Sequence, residues 1–230
     1  MDKKKKVRFR KRWFSPIKFL LKIFIRKPKV KYLGEKIDGQ VMFLSNHVGA
    51  KAPLKIELYF DRPFRFVGTY EMNGNFKEVF NYLSNIYFYE KKHWKKVPAK
   101  LFSIIATPFA WCFYRGLNLI SSYKDGRLIK TVKECLKTIK DGGSLAIFPE
   151  DSSTGYHDEI THFFSGFLFV AKKSLEIGID LPMYLAYLRK EDNTYIVDEP
   201  IYYSKLIESG KTHDEIAEDC RVRLNQLKDL

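Results

Sequence analysis

The 230 residues, 45% hydrophobic and 30% charged, suffice for one hydrophobic core, which excludes an intrinsically disordered chain. The net charge is +14, but residues 1–34 hold fourteen Lys and Arg against the single acid Asp2, leaving 27 basic and 26 acidic residues for the remainder. Cations gathered in an arm, rather than spread over a folded face, argue against a nucleic-acid partner. Cys112, Cys135 and Cys220 are too scattered for a disulfide framework or a metal site.

In chain order, the first twelve residues carry eight Lys or Arg and are expected to be disordered. Ser15 then offers a helix cap, with Pro16 at the first helical position. Lys18, Lys22 and Arg26 recur every four residues as a cationic stripe beside an apolar face of Phe19, Leu20, Ile23 and Phe24, and Pro28 ends the segment. This is the pattern of a helix in a membrane interface, which makes anionic lipids a partner through residues 3–27. An amphipathic helix docked on the body is the other reading. Residues 1–34 therefore form a basic arm with an interface helix, and residues 35–230 the folded domain.

No stretch reaches the roughly 20 uninterrupted apolar residues of a spanning helix. Residues 13–25 are broken by Lys18 and Lys22, and residues 101–114 by Pro108. The N-terminus lacks the cleavage pattern of a signal peptide. The expected location is the cytoplasmic face of a membrane, peripheral or monotopic.

Within the body, residues 41–45 and 64–68 are short apolar runs that predict strands, and residues 75–85 show helical spacing. Residues 128–140 form the clearest helix, stopped by Gly142-Gly143, and residues 144–148 follow as a strand. A helix is predicted over 163–177, strands over 183–188 and 195–197, and a last helix from the capping box Thr212/Glu215. Strands separated by helices imply an α/β fold: a single layered domain with a mostly parallel central sheet flanked by helices, plus the N-terminal amphipathic helix.

Two elements carry candidate chemistry. Asn46-His47 leaves the first clear strand, where a sheet delivers side chains to a cleft. A histidine there can act as general base toward a hydroxyl, although a lone histidine is more often structural. Phe148-Pro149-Glu150-Asp151-Ser152-Ser153-Thr154 leaves a second strand, and its polar run can turn backbone and hydroxyl groups toward a ligand. An acidic turn is the plainer reading of that segment alone.

Together, in this order and about a hundred residues apart, the two resemble the first and third blocks of the phospholipid/glycerol acyltransferase family. Arg115-Gly116-Leu117-Asn118-Leu119-Ile120 stands where the second block falls, and Leu181-Pro182-Met183-Tyr184-Leu185 resembles the start of the fourth. The resemblance spans residues 40–190. It implies acyl transfer from acyl-CoA or acyl carrier protein to a lysophospholipid or related glycerolipid hydroxyl, with no cofactor and no metal. His47 would be the base. Asn46, Arg115, Gly116, Phe148, Pro149, Glu150, Asp151, Ser152 and Ser153 would bind substrate.

The chain departs from the family pattern at telling positions. The motif Asp, five residues after the histidine, is Ala52; the second block's Arg is Ser122; the third block's Gly and Arg are Asp151 and Ser153; and a fourth-block Pro is Leu185. Neutralising the analogous Asp of a serine-protease triad costs about 10⁴ in rate. His47 therefore needs another orienting group, with Glu57 the first candidate and Glu71 and Asp151 behind it, although a solvated helix carboxylate is the plainer reading of Glu57. The lost arginines remove the expected grip on an acceptor phosphate. Arg115, Lys124 and Arg127 are nearby substitutes, or simply surface cations. A catalytically impaired lipid-binding protein on the same scaffold is the alternative reading.

Overall fold

The computed structural model describes residues 9–123, 125–153 and 155–230. The expectation of disorder for the first twelve residues falls mostly outside them, as do Lys124 and Thr154. The strands are β1 (Lys29–Tyr32), β2 (Met42–Ser45), β3 (Phe64–Thr69), β4 (Ile120–Ser122), β5 (Ser144–Ile147), β6 (Met183–Arg189) and β7 (Thr194–Ile201). They form one seven-stranded sheet in the order β1-β7-β6-β2-β5-β3-β4. Every neighbouring pair is parallel except the hairpin β6–β7, so the sheet is mostly parallel as expected.

Helices α1 (Phe14–Phe24) and α2 (Lys51–Tyr59) cover one face, and α5 (Leu128–Lys140), α6 (Gly166–Glu176), the short α7 (Tyr203–Ile207) and α8 (His213–Gln226) cover the other. Alternation along the strands drives this layering. On β2, Met42 and Leu44 join the α5–α6–α8 side, while Phe43 points to the α1–α2 side among Phe60, Phe64 and Tyr195. The capping box of α8 forms as its sequence predicts, with Thr212 and Glu215 bonding each other's backbone N–H. The helix expected over 75–85 is divided. α3 (Phe76–Asn81) passes into a ten-residue π-helical segment, Tyr82–Lys91, a form found in single turns and often at functional sites.

α1 begins one residue earlier than its predicted cap, at Phe14, and Ser15 caps nothing. Burial rather than capping sets its start. Phe14 is fully buried, and a Cβ on Gly116 would lie 2.1 Å from its ring, so glycine at 116 is what admits it. Arg10 clamps the same junction: its guanidinium pairs with Glu57 (Nε–Oε1 3.0 Å) and donates to the carbonyls of Leu117 (2.8 Å) and Phe64 (2.6 Å). Lys18 leaves the predicted cationic stripe to pair with Glu57 as well, at 2.8 Å. The apolar face of α1 turns outward, with Phe19, Leu20, Ile23 and Phe24 between 56% and 83% exposed.

α4 (Lys96–Leu117) corrects the reading of residues 101–114 as broken at Pro108. The helix runs through Pro108 for 22 residues and is long and apolar enough, by length and composition alone, to cross a membrane. The proline lies on the exposed face, where the Ile104 carbonyl that loses its N–H partner can meet solvent. α4 is also inverted relative to a soluble amphipathic helix. Small residues Ala99, Ser103 and Thr107 face the protein, whereas Val97, Leu101, Ile104, Ile105 and Phe109 are 60% to 73% exposed. Each such side chain forgoes about 1.5–3 kcal/mol of burial. The two inward hydroxyls bond back to the carbonyls of Ala99 (2.7 Å) and Ser103 (2.6 Å), which lets them be buried without outside partners.

Phe14→Ala should remove about 3 kcal/mol or more of packing. Amide exchange across Phe14–Phe24 is expected to accelerate at least roughly tenfold while the sheet amides hold. Unchanged exchange in α1 would mean that Phe14 does not seat the helix.

Candidate active site

β2 and β5 are parallel neighbours with Leu44 opposite Ile147, so both strands open at the same edge of the sheet. Three residues beyond that pair stand His47 and Glu150. The backbone N–H of His47 donates to Glu150 Oε2 at 2.8 Å, which joins the two motifs predicted to form one cleft.

The turn after His47 is unusual. Val48 (φ +45°) and Gly49 (φ +61°) are both left-handed, and the first is a β-branched residue for which this conformation is strained. Together they fold the chain back, so that the Gly49 carbonyl sits 2.5 Å from His47 Nδ1. A carbonyl can only accept, so Nδ1 carries the hydrogen, and in the neutral ring Nε2 keeps its lone pair. The imidazole packs against Phe148 (4.8 Å between ring centroids) and Tyr156 (5.0 Å). This burial pushes its pKa down to about 4. The hydrogen bond to Gly49 opposes that shift, and the charges of Lys91 and Lys92 add to it. Burial also raises the pKa of Glu150, while the His47 N–H it accepts pulls the other way.

Lys91 and Lys92 escaped the sequence reading. They leave the π-helical segment and lean over the site: Lys91 Nζ donates to Ser152 Oγ at 2.6 Å and lies 5.5 Å from the Tyr156 ring. Lys92 Nζ lies 5.6 Å from the same ring, and a Cβ on Gly49 would come within 3.3 Å of it. The Tyr156 hydroxyl is buried without a hydrogen-bond partner among the described residues. The available signal was the run of four lysines around His93-Trp94, which reads in sequence as a solvated charge cluster.

The remaining predicted residues divide by role. Asn46 is a sheet tie: its side chain donates to the Leu188 carbonyl (3.1 Å) and accepts from the Leu188 N–H (2.7 Å), extending the β2–β6 ladder beyond Ser45. Pro149 and Asp151 are held by the returning loop, whose Phe164 N–H and His162 carbonyl bond their backbones, and Ser153 N–H bonds the Asp151 carboxylate. Arg115 lies over Trp111 at 4.3 Å, and Gly116 seats Phe14, so both are engaged elsewhere than at the imidazole. Glu57 is held by Arg10 and Lys18, and Glu71 accepts from Thr69. Among the described residues no carboxylate hydrogen-bonds a His47 ring nitrogen; the Gly49 carbonyl fills that place. Ala52, at the motif-Asp position, is fully buried in the apolar α1–α2 side of the core. Among the described residues no group of three His, Cys, Asp or Glu side chains is placed to hold a metal.

Neither the family models nor the curated proteins compared with the chain match it. Among solved structures it is similar to the 1-acyl-sn-glycerophosphate (LPA) acyltransferase PlsC from Thermotoga maritima. The TM-score is 0.53 at 13% identity, over 94% of this chain and 78% of that one. At that identity the likeness establishes a shared fold.

Placing an acid at position 52 by Ala52→Asp is expected to destabilise the protein by roughly 2 kcal/mol or more, because the carboxylate enters an apolar cluster. Denaturant melts check this. Unchanged stability together with raised activity would show that position 52 can face the imidazole.

Proposed function

We propose that the protein is an acyltransferase that moves a fatty acyl group from acyl-CoA or acyl carrier protein to a hydroxyl of a lysophospholipid or related glycerolipid acceptor. The observation that carries this reading is the convergence at one sheet edge of a neutral, tautomer-fixed His47, the Glu150 carboxylate and two lysines. The fold shared with a 1-acyl-sn-glycerophosphate acyltransferase supports it.

In this mechanism Nε2 of His47 accepts the proton of the acceptor hydroxyl as its oxygen attacks the thioester carbonyl. The C–O bond forms, the C–S bond breaks, and the imidazolium returns its proton to the departing thiolate. Glu150 acts as a positioning residue that fixes the His47 backbone. Lys91 and Lys92 replace the cations missing at Ser122 and Ser153 and hold the acceptor phosphate, each as a point charge rather than a bidentate fork. The exposed apolar face of α1 supports a location at an anionic membrane surface, where such acceptors reside; the side proposed is the cytoplasmic face.

A lipid-binding protein without turnover has one observation in its favour, the absence of a carboxylate behind the imidazole among the described residues. A backbone carbonyl orients the ring but stabilises an imidazolium less than a carboxylate does. The test is acyl transfer with labelled acyl-CoA or acyl carrier protein and a panel of lysolipids with and without a terminal phosphate. His47→Ala should lower kcat/KM by about 10²–10⁴. Lys91→Gln and Lys92→Gln should each raise KM about tenfold, for the phosphate-bearing acceptors alone. If His47→Ala and the unaltered protein behave alike across the panel, the lipid-binding reading stands instead.

The pH profile follows from the direction of the His47 shift. Because its pKa falls to about 4 from 6.5, the base stays unprotonated down to about pH 5. The acid limb of kcat/KM should therefore lie near pH 4, and Glu150→Gln separates any share contributed by that carboxyl. A limb near 6.5 would contradict the buried-base assignment.

A further inference from the structure

α4 presents its large apolar side chains outward along most of its length, and no described residue covers them. Its exposed face carries no charge between Lys100 and Arg115. Its amino end is unusual too: Lys95, Lys96 and Lys100 crowd the first turns with no acid among them. The helix dipole disfavours cations there, so they do not serve the helix itself. Trp94, 38% exposed and stacked 4.8 Å from Phe88, stands beside them. Cations and a tryptophan at the rim of an apolar stripe match an anionic lipid surface, headgroups outside and acyl chains beneath.

We propose that α4 is a second membrane-docking helix, lying flat in the interface of an anionic bilayer alongside α1. Its contact with α1 makes the pair one rigid unit, since Phe14 packs on Gly116 and lies 5.3 Å from Phe113. One feature sets the helix flat rather than across the bilayer. Ala99, Ser103 and Thr107 keep one side against the protein over several turns, whereas a lone spanning helix would face lipid all round. Docking in this way sets the amino end of α4 at the membrane. That end continues directly from Lys91 and Lys92, so the footprint adjoins the cleft that receives the lipid. The role of α4 is independent of acyl-transfer chemistry; its pairing with α1 rests on the membrane-surface reading above.

The protein supplies its own probe. Cys112 is exposed on α4, and Cys135 and Cys220 are buried, so an environment-sensitive nitrobenzoxadiazole label can be placed on Cys112 alone in the full-length chain. Mixing with phosphatidylcholine/phosphatidylglycerol vesicles should shift its emission to the blue. Spin-labelled lipids should quench it more strongly from near the headgroups than from the bilayer centre. The surface substitutions Ile105→Glu and Phe109→Glu should each weaken vesicle binding by roughly tenfold or more. They should leave the melting temperature and turnover of micellar acceptor unchanged. His47→Ala should bind vesicles like the unaltered protein, which separates failure of docking from failure of the chemistry. No emission shift with vesicles overturns the proposal. Stronger quenching from the bilayer centre means a spanning helix and also overturns it. A shift that depends on protein concentration and needs no vesicles means that a second copy covers α4, which overturns it as well.

Discussion

The parallel pairing of β2 with β5 is the constraint on which the site depends. With Leu44 opposite Ile147, each strand delivers its third following residue to the same edge, and the His47 N–H reaches Glu150 there. A one-residue slip would turn Met42 and Leu44 to the wrong face and misplace both motifs at once. The site is thus held by the same alternation that builds the two halves of the core, and its precision comes from the sheet rather than from the loops.

What the loops add is the orientation of the imidazole. Val48 stores backbone strain, of order 1–3 kcal/mol, and Gly49 adopts its left-handed φ freely, so that together they turn one carbonyl onto Nδ1. A buried carboxylate would hold the ring as well and stabilise its protonated form more, but Ala52 leaves no acid at that position. Glu57 does not fill the gap, because it serves the N-terminal junction. That junction matters in its own right: Arg10 and Phe14 lock the start of α1 against the carboxyl end of α4, Lys18 ties α1 to α2 through Glu57, and both α1 and α4 leave their apolar faces outside. The sheet edge brings His47 and Glu150 together, and among the described residues nothing covers the apolar faces of α1 and α4; the proposed transfer to an acceptor held in a bilayer would use both.

The fold was legible where periodicity was strong. The α5 residues 128–140, the β6 run and the α8 capping box all fall where the sequence places them, because apolar spacing and capping chemistry are local. β1 and β4 were missed because one is a mostly exposed edge strand and the other has three residues. α4 was misjudged because a proline costs a helix least where the carbonyl it frees can meet solvent, as at the exposed Pro108. At the site, His47 and Glu150 were readable from their places at strand ends. The roles of Asn46, Gly116 and Glu57 were not, since each is decided by a partner more than forty residues away: Leu188, Phe14 and Arg10. Lys91 and Lys92 became visible only when the π-helical segment brought a charge run over the imidazole.

The central claim is that the Gly49 carbonyl fixes His47 as the neutral Nδ1–H tautomer, leaving Nε2 as the base. Nitrogen-15 NMR of the labelled imidazole at neutral pH tests it directly. The account predicts a pyrrole-type, proton-coupled signal at Nδ1 and a pyridine-type signal at Nε2. A protonated Nε2, whether in the other tautomer or in an imidazolium, would contradict it.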